Sequence, residues 1–358
     1  ALQRFNVIHL VRPGSAQPMR QLIRGNVFLK QQVIDNRTIA GLAERIARHL
    51  DQLISTDPRT GDERVRGTYQ PSLQRYAPQW ADARETALLS YALTRHASIA
   101  LDADLAGESM HARATRVLRL VDQLAPAAIP DNQPPKHLTA AFLLLTLCET
   151  PERLTHDQID LRQRLGQALL SLKHPDGGGY RIEKDSDTRL PRASAAVITA
   201  ALASYYDSTR SKSLVEPVWD VLTDLMKANA NIDESRVVDL LWVAHALDAA
   251  GPNLAKAQTD PKSAAKTLDA WRKQLADYLE LLSQQQIVSK PILGPEDVTG
   301  GFILQKPIPG TPPEPTWRSA MPTALLAFGL RDTGIIPADK NFGPIPVSYT
   351  HLRAHETF

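Results

Sequence analysis

Apolar helical segments alternate along the chain with more polar, amphipathic segments. Each apolar segment has a core of small and aliphatic residues, and these cores begin at Thr86, Thr139, Ser194, Val238 and Thr323. The segments between them place charged residues opposite an apolar stripe at helical spacing, as 161–170 does. A helix that is apolar all round is buried on most of its sides. The alternation therefore predicts an all-α body, with apolar helices inside and amphipathic helices covering them.

The spacing of apolar positions and of helix-ending residues predicts ten helices. They span about 36–54, 81–97, 109–123, 136–148, 157–172, 191–206, 213–228, 234–250, 261–285 and 317–330. Pro126 and Pro130 predict the end of the third, and a turn-rich loop over 57–80 separates the first two. Ahead of the helices, 5–12 is rich in β-branched residues and predicts a strand, with 26–34 as a candidate second strand.

Three regions follow from this pattern. Residues 1–35, with their β-strand character, are either the tail of an upstream domain or a small cap, and 36–346 form the helical domain. The string at 347–357 resembles the translation of a sequencing-library adapter, so we expect 347–358 to be an artefact and the helical domain to be truncated. His351 and His355, although spaced as metal ligands on a helix, are discarded for that reason.

The alternation is compatible with a closed ring of helical hairpins, the α/α toroid, and with an open superhelical stack. The apolar cores begin about 53, 55, 44 and 85 residues apart, which is less regular than an open stack usually shows. Variable intervals with long loops favour the toroid, because loops at the mouth of a ring tolerate insertions. Closed toroids commonly have six hairpins, so five apolar helices indicate an incomplete ring.

Glycine pairs followed by an aromatic residue precede two of the apolar helices, at 178–180 and at 300–302. Together with the hairpin pattern over about 36–345, these turns resemble the α/α-toroid repeats of the terpenoid cyclase and protein prenyltransferase superfamily. The resemblance implies the toroidal fold and does not extend to the family chemistries. The cyclases' Asp-x-Asp-Asp motif is absent, Asp102-Ala-Asp104 being the nearest string, and Cys148 lacks the acidic neighbours of a prenyltransferase zinc site.

Composition excludes several classes of function. The chain has 41 Lys and Arg against 39 Asp and Glu, a net charge of +2, which argues against a dedicated nucleic-acid binder. A single cysteine, Cys148, excludes an intrachain disulfide framework and a cysteine-rich zinc site. No apolar run has the length of a membrane span. No phosphate-binding loop, nucleophile motif or metal motif is present, so the sequence predicts neither a metal nor another cofactor.

Basic residues recur at one position of the repeat, two residues before the Thr, Ser or Val that begins each core. They are Arg84, His137, Arg192 and Arg236, and Met321 takes the place in the fifth repeat. Equivalent positions in a ring of helices lie at one level of the cavity, where cations near helix N-termini favour an anionic ligand. The alternative is that each arginine pairs with a nearby acid: Arg84 with Asp82 or Glu85, Arg192 with Asp187, Arg236 with Asp233 or Asp239.

Aromatic and acidic residues supply further candidates. Trp80 and the pair Trp317 and Arg318 lie in loops entering apolar helices, where they either bind a sugar ring or anchor the loop. Asp239, Glu85 and Tyr180 are the candidate acid–base residues. Asp239 interrupts an apolar run, where a carboxylate is costly unless it is paired or functional. His245, Tyr91 and Tyr205 fit core positions as well as functional ones.

Two functional hypotheses remain open. The basic level and the loop aromatics predict a lyase or hydrolase-like enzyme that binds an anionic or sugar-like small molecule or polymer in a central cavity. The lack of any catalytic motif favours a non-catalytic scaffold that binds a peptide or glycan. A third hypothesis, terpenoid cyclisation, has only the resemblance of fold behind it.

Overall fold

The computed structural model describes residues 6–11, 19–24, 36–70, 74–102, 108–131, 133–227 and 234–284. This part of the chain is mainly helical, which confirms the predicted fold class at that level. Its α-helices are α1 (Asn36–Gln52), α2 (Ala83–Asp102), α3 (Glu108–Ala128), α4 (His137–Glu149), α5 (His156–Leu170), α6 (Arg192–Thr209), α7 (Val215–Met226), α8 (Glu234–Ala257) and α9 (Pro261–Gln284). The tenth predicted helix, 317–330, lies outside the described residues.

Two helices continue through a proline that the sequence analysis treats as a stop or places beyond the helix end. Helix α3 includes Pro126 and ends at Ala128, and α8 includes Pro252 and ends at Ala257. Each proline lies within the last two turns, so only a short stretch of helix follows the backbone hydrogen bond that it removes. The predicted ends of α3 near 123 and of α8 near 250 are therefore too early.

Within the described residues, three antiparallel hairpins accompany the helices. Strand β1 (Asn6–Val11) pairs with β2 (Met19–Arg24), which confirms the strand predicted at 5–12. The candidate strand at 26–34 lies outside the described residues. The predicted loop at 57–80 contains β4 (Glu63–Val65), β5 (Tyr69–Gln70) and β6 (Arg75–Tyr76); β3 (Ile54–Thr56) pairs with β4, and β5 with β6.

The apolar helices are each other's neighbours. Helix α2 packs on α4, α4 on α6, and α6 on α8, while α3, α5, α7 and α9 pack on the outside of this series. Arg192 at the start of α6 contacts Asp239 near the start of α8, and Tyr206 near the end of α6 donates to the Asn253 carbonyl. These contacts show that α6 and α8 run parallel. The helical hairpins predicted from the alternation thus have an apolar inner series and an amphipathic outer one.

The inner helices supply most of the core. Every residue of α4 from 139 to 147 is buried, as a helix that is apolar all round requires. Small residues in α6, among them Ala196, Ala200 and Ala203, are fully buried and leave room for close helix packing. The covering helices bury one face only, and Trp219 of α7 packs on Trp271 of α9 with ring centroids 4.6 Å apart.

A glycine turn leads into α6. Gly177, Gly178 and Gly179 all have positive φ, a conformation that side chains with a Cβ rarely adopt. The turn brings Tyr180 into the core, where it is fully buried, and its backbone carbonyl accepts from the Leu190 amide. The Gly-Gly-aromatic sequence is therefore a device for turning the chain sharply and anchoring it beneath the next inner helix.

Candidate functional site

The carboxylate of Glu149 is contacted by side chains from three other helices. Its Oε1 atom lies 2.9 Å from Nε2 of His245 and accepts a hydrogen bond from the Ser204 hydroxyl at 3.3 Å. Its Oε2 atom accepts from Arg95 Nη1 at 3.0 Å and lies 3.5 Å from the Tyr91 hydroxyl oxygen. These partners lie on α2, α6 and α8, so the last residue of α4 joins the inner helices α2, α4, α6 and α8.

The surroundings keep Glu149 ionised despite its burial. Its side chain is only 11% exposed, and that burial by itself raises the pKa of the carboxyl. The hydrogen bond from His245, the charges of His245 and Arg95 and the Ser204 hydroxyl outweigh burial and hold the pKa below its usual value. An ionised carboxylate accepts hydrogen bonds only, so the His245 Nε2 atom carries the proton between them.

Aromatic rings line the inner side of this cluster. The Tyr91 and His245 rings meet edge to face with centroids 6.2 Å apart, and Trp242 lies 6.1 Å from His245. Trp242 also contacts Phe142 of α4, at 5.7 Å between ring centroids. The dyad of Glu149 and His245 is thus held between an aromatic wall and the ends of α4 and α6.

A cavity of about 190 Å³ opens over the dyad. Arg95, Glu149, Ser204 and His245 line it from inside, and Asp207, Ser208, Asp248 and Cys148 complete it. Pockets for drug-sized ligands begin near 300 Å³, so this cavity admits a small polar group or a single ring of a larger molecule. Arg95 is 29% exposed at this cavity, whereas the two side chains of the dyad, Glu149 and His245, are only 11% and 8% exposed.

The thiol of Cys148 does not supply a nucleophile here. Burial raises the pKa of the Cys148 thiol to about 12, although the Ser208 hydroxyl lies 3.8 Å from its sulfur. The protonated thiol is a poor nucleophile and a poor metal ligand. The chemistry available in this cavity is therefore proton transfer by the imidazole and charge recognition by the guanidinium.

The predicted basic level lies at the other ends of the inner helices, and its members have separate surroundings. Arg84 is exposed and pairs with Asp82 at 3.8 Å, one of the two partners proposed for it. His137 is half-buried at the start of α4, where burial and then the charge of Lys136 lower the pKa of its imidazole. Arg236 lies in α8, but its side chain is outside the described residues. Arg84, His137 and Arg192 line neither the cavity over the dyad nor the one beside Trp80.

Arg192 makes a pair that the sequence analysis does not predict. Its Nε atom donates to Oδ2 of Asp239 at 3.1 Å, and its Nη2 atom donates to the Leu225 carbonyl at 2.7 Å. Asp239 is 2% exposed and Arg192 43%, so a buried carboxylate on α8 is held by a half-exposed guanidinium on α6. Arg192 thereby ties α6 to α8 and to the end of α7.

The other two candidate acid–base residues have structural surroundings. Glu85 and Asp82 form a capping box at the start of α2: the Glu85 amide donates to Asp82 Oδ1 at 2.7 Å, and the Asp82 amide to Glu85 Oε2 at 3.2 Å. Tyr180 is fully buried, its hydroxyl accepts from Thr199 Oγ1 at 3.4 Å, and burial raises the pKa of its phenol. The structure therefore does not bring Glu85 or Tyr180 to the dyad.

Of the aromatic candidates, only Trp80 falls within the described residues. It is half-buried and lines a second cavity near the start of α2. Trp317 and Arg318 lie outside the described residues. Glu149 and Arg95 were not predicted as site residues, and the sequence did not distinguish a core role from a functional role for His245 and Tyr91. The available signal was a histidine and an arginine within apolar helices and an acidic residue at the end of one such helix.

Comparison with family models, with curated proteins and with solved structures gives no match. Among the described residues, no group of three His, Cys, Asp or Glu side chains is placed to hold a metal ion. None of the helices that the structure describes combines the length and apolarity needed to cross a membrane.

Proposed function

We propose that the chain is an acid–base enzyme of the lyase or hydrolase type, with the dyad of Glu149 and His245 as its centre. The observation that carries the proposal is the 2.9 Å contact between a buried, ionised carboxylate and an imidazole beneath an open cavity. Proton-transferring residues commonly combine such burial with a specific charged partner in a cleft. This site replaces the basic level at the opposite helix ends as the favoured location.

The carboxylate sets the tautomer of the imidazole. Nε2 of His245 donates its proton to Glu149, and a neutral imidazole that is protonated at Nε2 accepts a proton at Nδ1. In a hydrolase, Nδ1 takes a proton from a water whose oxygen bonds to the scissile carbon; the bond from that carbon to the leaving oxygen breaks, and the imidazolium gives its proton to that oxygen. In a lyase, Nδ1 takes a proton from carbon, the electron pair forms a double bond, and the imidazolium returns the proton to the departing oxygen. Glu149 stabilises the imidazolium in both cases.

The substrate class follows from the groups around the dyad. A guanidinium has five N–H donors, and the hydrogen bond to Glu149 uses one of those on Arg95. The hydroxyls of Ser204 and Ser208 and the carboxylate of Asp248 line the same cavity. This set recognises hydroxyl and carboxylate groups, as a sugar or uronate presents them. We therefore propose a sugar-like substrate of which one ring reaches the dyad.

The proposal includes the toroidal arrangement of the helices. Its support is the series of inner helices α2, α4, α6 and α8, each packed on the next, with an outer helix covering each junction. Contacts between Tyr91 of α2 and Trp242 of α8, with ring centroids 6.0 Å apart, add support because they join the first and last helix of the series. The dyad then lies on the axis of the incomplete ring.

A non-catalytic scaffold is the second candidate. One observation favours it: both oxygens of Glu149 are already engaged by side chains of the protein, as in a structural ion-pair network. In that case the cluster fixes the inner helices α2, α4, α6 and α8 relative to one another, and ligands bind elsewhere on the surface. The two candidates differ in whether His245 affects turnover.

A turnover screen of the full chain separates them. Uronate-containing and neutral polysaccharides are incubated with the protein, and ultraviolet absorbance of unsaturated products reports elimination while new reducing ends report any cleavage. We expect turnover of at least one class, and its loss in His245→Ala with the fold intact by circular dichroism. Absence of turnover for every class, or turnover unchanged in His245→Ala, contradicts the proposal and favours the scaffold.

A further inference from the structure

A second cavity, of about 360 Å³, lies between the β3–β4 hairpin and the beginning of α2. Its lining includes apolar groups from Trp80, Ala81, Ala83 and Leu124 and the exposed polar side chains of Asp62 and Gln123. We call this set the Trp80 cleft. Its volume is within the range of small-molecule sites, which begins near 300 Å³.

The Trp80 cleft is remote from the dyad of Glu149 and His245. Ala83 begins α2 and lines the cleft, whereas Arg95 lies twelve residues further along the same helix at the dyad. At 1.5 Å per residue, that distance along the helix is about 18 Å. A ligand in the cleft therefore does not reach the acid–base pair. Binding at the cleft and turnover at the dyad are tested independently of each other.

Charged groups near the cleft are largely neutralised within the protein. Glu63 accepts from Arg116 Nε at 2.8 Å, and Arg64 pairs with the buried Asp57 at 3.4 Å. No surplus of positive charge is left to attract an anion. The groups left for a ligand are an indole, an apolar lining, the exposed carboxylate and carboxamide of Asp62 and Gln123, and the buried Oε2 atom of Glu63, which has no hydrogen-bond partner among the described residues.

That combination matches the surface of an uncharged sugar. A pyranose ring has an apolar face of C–H groups, which packs on an aromatic ring, and a circumference of hydroxyls, which bond to carboxylate and amide groups. We infer that the Trp80 cleft binds a neutral sugar ring of a glycan, with Trp80 as the platform and Asp62 and Gln123 as hydrogen-bonding partners. The site holds the glycan and takes no part in the chemistry at the dyad.

Calorimetric titration of the full chain with cellobiose, maltose, xylobiose and diacetylchitobiose tests the inference. We expect at least one of them to bind with a dissociation constant of about 1 mM, typical of a single-ring site of this size. Trp80→Ala should weaken that binding about tenfold or more, since truncation of a central aromatic removes most of the contact. Tyr69→Ala is the matched control, because Tyr69 is an aromatic residue 49% exposed on a neighbouring hairpin and does not line the cleft.

Gln123→Ala provides a second variant for the case in which Trp80→Ala does not fold. Gln123 is exposed on α3, and its truncation should weaken the same disaccharide about threefold through loss of one hydrogen bond, without changing the thermal midpoint. Failure of all four disaccharides to bind overturns the inference. Binding that is equal in wild type, Trp80→Ala and Gln123→Ala, or lost equally in Tyr69→Ala, overturns it as well.

Discussion

Nε2 of His245 lies 2.9 Å from Oε1 of Glu149, although 96 positions separate the two residues in the sequence. The contact joins α8 to the end of α4, and the same carboxylate also binds Arg95 of α2 and Ser204 of α6. One side chain therefore connects the inner helices α2, α4, α6 and α8 at a point that opens into a cavity. Its removal is expected to affect stability as well as activity.

Replacing Glu149 with leucine should lower the free energy of unfolding by about 3–5 kcal/mol, because the buried His245 and the partly buried Arg95 lose their counter-charge. Urea denaturation followed by circular dichroism measures the change. Glu152→Leu is the matched control: Glu152 contacts His111 at 2.6 Å, but His111 is 60% exposed. Loss of that surface pair should cost less than about 1 kcal/mol. Equal losses in the two variants would contradict the account of the Glu149 cluster.

The contribution of Glu149 to stability should depend on pH. Its pKa is lower in the folded protein than the ordinary value of 4.5. The carboxylate therefore stabilises the fold fully above pH 4.5, and this stabilisation is lost as the pH falls through the folded-state pKa. The difference in free energy of unfolding between wild type and Glu149→Gln should narrow over that acidic range. If the difference in free energy of unfolding stays constant or widens on acidification, the proposed contribution of ionised Glu149 to stability is contradicted.

Helix α5 packs so closely on α6 that Gly166 has no room for a side chain. A Cβ atom at Gly166 would lie 2.5 Å from Cε1 of Tyr205. Gly166→Ala should therefore destabilise the fold by about 1–3 kcal/mol. The control is Gly41→Ala on α1, where a Cβ meets nothing within 4 Å and the fold should gain about 0.5–1 kcal/mol in helix propensity. The prediction fails if both substitutions stabilise the protein in thermal unfolding.

The capping box at the start of α2 is expected to give Glu85 a structural role. Glu85→Ala should lower the free energy of unfolding by about 1 kcal/mol and leave turnover unchanged, because the Asp82 amide loses its acceptor. Glu85→Gln keeps that acceptor and should leave the stability within about 0.5 kcal/mol of wild type. A loss of turnover in Glu85→Gln at unchanged stability would instead make Glu85 a catalytic residue.

The alternation of apolar and amphipathic segments predicts the helical body well, because apolar residues recur at helical spacing within each segment and so mark which positions are buried. The described helices agree with the predicted spans, except that α2 continues to Asp102 and that α3 and α8 run past the predicted ends near Pro126 and Pro252. The hairpins β3–β4 and β5–β6 escape prediction because their strands are two or three residues long, too short to show a period of two.

The site is less predictable because it depends on contacts between distant segments. Arg192 and Arg84 share a repeat position, which predicts that they lie at one level of a central cavity. The Arg192 side chain is instead long enough to reach Asp239 on the next inner helix. Glu149 is the last residue of an apolar helix, and an acid at that position does not by itself indicate a site. Only the fold shows that His245 and Arg95 contact it. Their convergence depends on helix register, which local sequence does not specify.

A comparison of kcat/KM between His245→Gln and His96→Gln tests most directly whether Glu149 and His245 form the acid–base centre. His96 is a suitable control because it too faces a glutamate, with Nε2 3.6 Å from Glu44, and lies on an inner helix away from the cavity. On the substrate class found by the turnover screen, His245→Gln should lower kcat/KM by about 100-fold or more, the usual contribution of a positioned proton-transfer group. His96→Gln should leave kcat/KM within about twofold of wild type, since His96 does not line the cavity and makes no contact with the transition state there. Equal kcat/KM in the two variants, with both folded, would contradict the assignment of Glu149 and His245 as the acid–base centre.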